Sequence, residues 1–403
     1  MNAVRITGIS ASGEGVGRLE DGRAVFIPRA APGDLVQPVD VQLHARYARA
    51  QLGTLLESGP DRVEPACRHY TADRCGGCQL QHLSAPAQRA AKREMVEETL
   101  RRIGKLNVTL PPLPPGREWG YRTRFTVTRD TAGTVGFHRL GEPGRIFQLV
   151  TCAIASAEAN TLWAGVRGVQ LPPDTERITV RAGEGEAASL ILHCPEQPAS
   201  ADLEPLRTGL TGTGMRPTLW WQRDRGQVVP LDTTSDAAPG FSQVQPALGD
   251  AIREHAVAEL GSASGATVWD LYAGAGQASL MLAEAGARVE SVELDAAAVA
   301  AAEQAHPCPG ITRHVGRVEQ LIRRLPRPTL VYANPPRTGM GAEVVGAICS
   351  AGPARVVYVS CDPATLARDI LAFGDGYRVR SVQSWDVFPQ TAHVETGVCL
   401  EAA

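Results

Sequence analysis

The stretch Val356-Val357-Tyr358-Val359-Ser360-Cys361-Asp362-Pro363 decides how this 403-residue chain is read. Four β-prone residues run into Ser-Cys-Asp-Pro, and Ala364-Thr365-Leu366-Ala367 follow as helix formers. The order is therefore buried strand, sharp turn and helix, with a thiol at the turn. In an open parallel α/β sheet, ligands sit beyond the carboxyl ends of strands, which would aim Cys361 into a site. The same pattern also suits a small buried thiol that caps a strand, because free cysteines are mostly inert.

The same rhythm recurs on either side. In Val268-Trp269-Asp270-Leu271-Tyr272-Ala273-Gly274-Ala275-Gly276 a strand ends at Asp270, a glycine turn follows, and a helix opens at about Gln277. Without side chains, Gly274 and Gly276 allow a ligand close to the backbone. Ser279 stands where a dinucleotide fold would place its third glycine. The next strand, Arg288–Glu293, ends in an acid that can accept hydrogen bonds from both hydroxyls of a ribose. Thr329–Ala333 leads into Asn334-Pro335-Pro336-Arg337, a fixed loop at the same sheet edge. The chain closes with Val379–Val387 and Phe388-Pro389-Gln390-Thr391-Ala392-His393-Val394-Glu395, which reads as a final hairpin with Glu395 beside its turn.

The front of the chain differs. Residues 1 to about 58 form short β-like runs separated by Asp21-Gly22 and Pro32-Gly33-Asp34, the spacing of a small β-barrel. Cys67, Cys75 and Cys78 then gather around Cys75-Gly76-Gly77-Cys78. Two glycines let the backbone wrap so that the thiolates face one metal centre, either tetrahedral zinc or an iron–sulfur cluster. Cys152, ending a strand-like run, is the best fourth ligand. A helix is expected over Ser84–Ile103, between Pro86 near its start and Gly104 at its stop, followed by a proline-rich linker at residues 111–116. From Trp119 onward, Tyr121, Arg122, Arg124, Phe125, Phe137, His138 and Arg139 interleave aromatics with cations. That surface suits unpaired RNA, and the aromatics equally suit a core.

Length argues for two or three domains. Hydrophobic residues at 43% and charged residues at 21% are those of a globular protein. No apolar run approaches the ~20 residues that span a bilayer, and Met1–Ile6 lack an export signal core, so a cytoplasmic location without membrane partners is expected. The net charge of −3 conceals an excess of cations, mostly Arg, over the first 160 residues and of acids thereafter. A cationic front half suits a polyanion or a solvated basic face.

The run Gly15-Val16-Gly17-Arg18, Ala24–Pro28 and Pro32-Gly33-Asp34 resembles the TRAM module, an OB-like barrel of RNA-modifying enzymes. Asp270–Gly276, Tyr358–Asp369 and Phe388–Glu395 jointly resemble the RNA 5-methyluridine methyltransferases. The cysteine cluster with Gln79-Leu80-Gln81-His82 resembles the 23S ribosomal RNA branch, whose members carry a [4Fe–4S] cluster. The resemblance implies a multidomain chain. It would comprise a TRAM-like β-barrel over residues 1–58, a central α+β iron–sulfur and RNA-binding domain over 59–236, and a C-terminal α/β Rossmann-like class I methyltransferase domain over 237–403.

It further implies methylation of uracil C5 in RNA by S-adenosyl-L-methionine, in 23S rRNA or in tRNA, with no obligate protein partner. Cys361 matches the family's nucleophile and Glu395 its base. Gln243, Asp270, Tyr272, Gly274, Gly276, Glu293 and Asn334 match the cofactor site, and Cys67, Cys75, Cys78 and Cys152 the cluster ligands. A competing expectation is an RNA-binding assembly factor without catalysis. Two departures stand out. The family usually has Asp-Pro-Pro-Arg where this chain has Asn334-Pro335-Pro336-Arg337, a form also similar to amino-group methyltransferases of nucleic acid. The first cysteine gap is two residues wider than the family's.

Overall fold

The computed structural model describes residues 2–185, 187–224, 226–232 and 243–403. These fall into two compact units. The expected boundary between residues 236 and 237 lies outside the described residues.

The first unit holds two sheets. Strands β1 (Val4–Ile9), β2 (Glu14–Arg18), β3 (Ala24–Pro28), β4 (Leu35–Leu43) and β5 (Tyr47–Glu57) close into a barrel of order β1-β2-β3-β5-β4. Alternate residues face inward, and Val4, Ile6, Val25, Ile27, Val36, Ala48 and Ala50 fill the interior. Closure leaves no free strand edge. Gly17 is required by crowding, since a Cβ there would lie 2.4 Å from the Val4 side chain.

The second sheet contains β6 (Arg124–Arg129), β7 (Val135–Arg139), β8 (Glu142–Gln148), β9 (Arg177–Arg181), β10 (Ser189–His193), β11 (Thr218–Gln222) and β12 (Val228–Pro230). Their order is β12-β11-β10-β9-β6-β7-β8. Helices Ala157–Val166 and Glu204–Thr211 bury Leu162, Trp163, Leu206 and Leu210 in the same core as Phe125, Val127, Ile178 and Val180. Of the aromatics that suited either core or RNA, Tyr121 and Phe125 are buried, each 4% exposed, so the core reading holds for both.

The second unit is an open α/β sheet. It comprises β13 (Thr267–Leu271), β14 (Arg288–Glu293), β15 (Ile311–Val315), β16 (Leu330–Ala333), β17 (Arg355–Ser360), β18 (Tyr377–Trp385) and β19 (Glu395–Ala402). In the order β15-β14-β13-β16-β17-β19-β18, the first five strands run parallel and β19 inserts antiparallel between β17 and β18. The strand order reverses between β13 and β16, the point where open sheets of this kind bind ligands. Residues 92–116, expected in the central domain, instead belong to this unit. Val96, Leu100, Leu110 and Leu113 join its core, and the fully buried Lys92 pairs with Asp386 at 2.5 Å. Among the described residues no helix is long and apolar enough to cross a membrane.

Candidate active site

Cys361 follows the last residue of β17, and Glu395 is the first of β19. Ser360 pairs with Thr396 as the last step of these antiparallel strands, and Cys361 and Glu395, the next residue on each, lie within electrostatic reach of one another. Asp362 caps the helix Pro363–Phe373 by accepting from the backbone N–H groups of Ala364 and Thr365, which turns the chain away sharply after the thiol.

Cys361 is half-buried, and Glu395 is only 5% exposed with its Oε2 lacking a hydrogen-bond partner. Burial pushes the Glu395 carboxyl up to about 8 against the pull of Arg337. Burial, then the neighbouring Glu395, raise the Cys361 thiol, and Arg337 again opposes. A single cation, Arg337, therefore favours the ionised form of both groups. Arg337 rides on the loop after β16 and meets His393 Nε2 at 3.4 Å. Sequence reasoning reached the Asn-Pro-Pro-Arg run but not this residue as part of the site. Its only signal was a cation after two prolines at a sheet edge.

The adenosyl side is built from strained turns. Tyr272, Gly274 and Gly276 all have positive φ, of 63°, 57° and 72°. No heavy atom lies within 4 Å of where a Cβ on Gly274 would sit, so the turn is open above it. Glu293 closes the turn from β14, accepting from Gly274 N at 2.7 Å through Oε2 and from Asp295 N at 2.8 Å through Oε1. A carboxylate has about four acceptor sites, so these two donors leave part of its capacity unused. Asp270 lies behind the turn, wholly buried, and accepts from Ser279 Oγ on the next helix. Burial pushes its carboxyl up to about 6. The hydroxyl of Tyr272 is buried with no hydrogen-bond partner. Gln243 packs against Gly249, where a Cβ would come within 2.8 Å of its side chain. Asn334 donates its backbone N–H to Leu271 O at 3.2 Å and sits half-exposed at the same sheet edge.

In the first unit, Cys75 and Cys152 share one buried cluster, Cys78 is 7% exposed and Cys67 half-exposed. Each thiol lies within electrostatic reach of at least one other in the set. Gly76 approaches the β7 backbone, where a Cβ would lie 3.3 Å from His138 O, and Asn160 brackets Cys152 by accepting from its N–H and donating to its carbonyl. Among the described residues, no three His, Cys, Asp or Glu side chains converge tightly enough for a single metal ion. Tetrahedral zinc, the alternative left open by spacing, gains no support from this geometry. The wider grasp of an iron–sulfur cluster by four thiolates remains compatible with it.

A glycine turn, an acid ending the next strand and an open sheet define a class I S-adenosylmethionine-dependent methyltransferase. The model of the family "tRNA (Uracil-5-)-methyltransferase" matches residues 312–403, and the TRAM domain model matches residues 3–52. The chain is 31% identical to the 23S rRNA (uracil(1939)-C(5))-methyltransferase RlmD of Thiobacillus denitrificans over 435 residues, covering 99% of each chain. It is 29% identical to an uncharacterized RNA methyltransferase of Listeria innocua, covering 98% of this chain and 96% of that one. The crystal structure of the Pyrococcus abyssi tRNA (uracil-54, C5)-methyltransferase with S-adenosyl-L-homocysteine superposes with a TM-score of 0.76 at 21% identity, covering 99% of each chain. That likeness concerns the fold. The chain belongs to the RNA uracil-C5 methyltransferase family.

Proposed function

We propose that this chain methylates C5 of uracil in 23S rRNA through a covalent adduct at Cys361. The observation that carries the reading is that Cys361 and Glu395 adjoin the last paired residues of β17 and β19 and lie within electrostatic reach, with Glu395 buried and its Oε2 without a hydrogen-bond partner. The turn Tyr272–Gly276 and Glu293 would hold S-adenosylmethionine, which would supply an electrophilic methyl group. C5 of uracil is too weak a nucleophile to take that methyl unaided. The Cys361 thiolate adds to C6, and the electron pair of the C5=C6 bond moves toward O4. C5 then takes the methyl, and the sulfonium leaves as a neutral thioether. Glu395 removes the C5 proton, the double bond re-forms, and the Cys361 sulfur departs as thiolate. Burial favours the protonated form of Glu395, so the carboxyl must release that proton to water before it takes the one from C5, and until then it puts no negative charge beside the thiolate.

Ribosomal RNA is favoured over tRNA by the full-length likeness to the Thiobacillus enzyme. The test is transfer of labelled methyl from S-adenosylmethionine to 23S transcripts and to tRNA, with 5-methyluridine mapped in RNA from a deletion strain. Label in 23S rRNA, and loss of one or more 5-methyluridines there in the deletion strain, is expected. RNA binding without transfer would mark a non-catalytic assembly factor instead.

Cys67, Cys75, Cys78 and Cys152 hold a [4Fe–4S] cluster in this reading, supported by four thiols in one unit that each lie within electrostatic reach of at least one other. Bound there, the cluster's iron would keep the four thiolates ionised, and the same ligands would tie the loop Cys67–Cys78 to Cys152. Protein isolated without oxygen is expected to be brown, with absorbance near about 400 nm. Cys78→Ser should remove that absorbance and lower the melting temperature. A colourless wild-type protein carrying zinc would overturn the assignment.

A further inference from the structure

Arg337 is exposed, yet the site needs it beside both Cys361 and Glu395. What holds its loop is a carboxylate outside the reacting centre. We propose that Asp369 is a positioning residue for methyl transfer, fixing the loop Pro335–Met340 so that Arg337 stays against the thiol and the base. This rests on the covalent reading above for what Arg337 serves.

Asp369 lies in the helix Pro363–Phe373 that leaves the Cys361 turn, and it is 1% exposed. Its Oδ2 accepts from Met340 N at 2.8 Å and from the Tyr358 hydroxyl at 2.9 Å. Its Oδ1 accepts from Arg368 Nε at 3.0 Å and Nη2 at 2.7 Å. The same guanidinium donates to Thr338 O at 2.9 Å. Four hydrogen bonds use the whole acceptor capacity of an ionised carboxylate, and those involving charge are the strong kind.

One carboxylate thus joins three elements. Tyr358 sits on β17, the strand that delivers Cys361. The helix is the one that departs from Cys361, and Thr338 and Met340 belong to the loop that carries Arg337. Within that loop Gly339 N donates to Pro336 O at 2.8 Å, and Gly339 has φ 76°. A Cβ on Gly339 would come within 2.4 Å of Asp369 Oδ2, so the glycine is what lets the loop seat on the carboxylate. Each hydrogen bond that holds the loop falls within three residues of Arg337 and none is made to the turn Tyr272–Gly276, although the Asp369 carboxylate lies within electrostatic reach of Tyr272.

The test is a double-mutant cycle on kcat with Asp369→Asn and Arg337→Gln, read with the pH profile of kcat/KM and with S-adenosylmethionine affinity. Asp369→Asn is expected to lower kcat by about 10²-fold, the cost of an ångström-scale misplacement. S-adenosylmethionine affinity should be unchanged, and the acid limb of the profile should move to higher pH as the thiol and carboxyl lose their cation. The double variant should be no slower than Arg337→Gln alone. Effects that multiply, or an acid limb that stays in place, would overturn the proposal. If Asp369→Asn does not fold, Arg368→Gln keeps the carboxylate, releases Thr338, and enters the same cycle with the same two outcomes. Adduct formation by the wild type with 5-fluorouridine RNA separates the two readings. Its absence sinks the covalent mechanism, whereas multiplicative effects with the adduct present sink only the positioning role.

Discussion

Cys361→Ala is expected to lower methyl transfer by on the order of 10⁴-fold or more and to form no covalent complex with RNA containing 5-fluorouridine. Wild-type protein should form that complex and stall, because Glu395 cannot remove fluorine from C5. The alanine variant loses only a half-buried thiol at a helix entry that Asp362 still caps, so its fold and melting temperature should stay near wild type. S-adenosylmethionine should bind both proteins equally, since the turn Tyr272–Gly276 follows β13 and is held by Glu293 on β14. Electrophoresis under denaturing conditions with labelled RNA, alongside a methyl-transfer assay, checks all of this. Substantial 5-methyluridine from the alanine variant would refute covalent catalysis.

Glu395→Gln should separate methylation from release. The thiolate still adds and the methyl still moves, but nothing abstracts the C5 proton, so a methylated RNA–protein adduct accumulates on natural uridine RNA. Turnover should fall by about 10²- to 10⁴-fold, the usual contribution of a positioned base. In the wild type, kcat/KM should rise with pH toward about 8, because burial holds the carboxyl protonated below that value.

Stability should run the opposite way. A carboxyl pushed up to about 8 in the fold, from an unfolded value of 4.5, is disfavoured once ionised. Wild-type stability therefore falls as pH rises from about 4.5 to about 8, whereas a glutamine at 395 does not titrate. The melting temperature of Glu395→Gln relative to wild type should climb across that window and level off above it. A constant difference from pH 5 to pH 8 would show that Glu395 is ionised throughout, and the base would then need no proton removed before it acts.

Much of this was legible because local chemistry is strong at strand ends. Val356–Ser360 could only be a buried strand, and Asp362-Pro363 only a turn into a helix; both are observed. The glycine turn and the acid ending Arg288–Glu293 follow equally local rules. The helix Ala157–Val166 was missed although Ser156 caps it by accepting from Ala159 N and Ala159, Leu162, Trp163 and Val166 recur at helical spacing. The resemblance implied that Asp270 contacts the cofactor. In the fold it is wholly buried and holds Ser279 behind the turn.

The sequence by itself determined the class of sheet, the positions of the thiol, base and glycine turn, and the family, because each depends on residues adjacent in the chain. Only the tertiary structure decided which of them meet. The antiparallel insertion of β19 beside β17, a ladder of backbone hydrogen bonds that ends at Ser360 and Thr396, brings Glu395 within electrostatic reach of Cys361. It also put Arg337 within electrostatic reach of both groups, and bonded Asp369, the last residue of the Tyr358–Asp369 motif, to the loop that carries it. Such roles arise from burial and from bonds between segments far apart in the chain, and no local pattern encodes either.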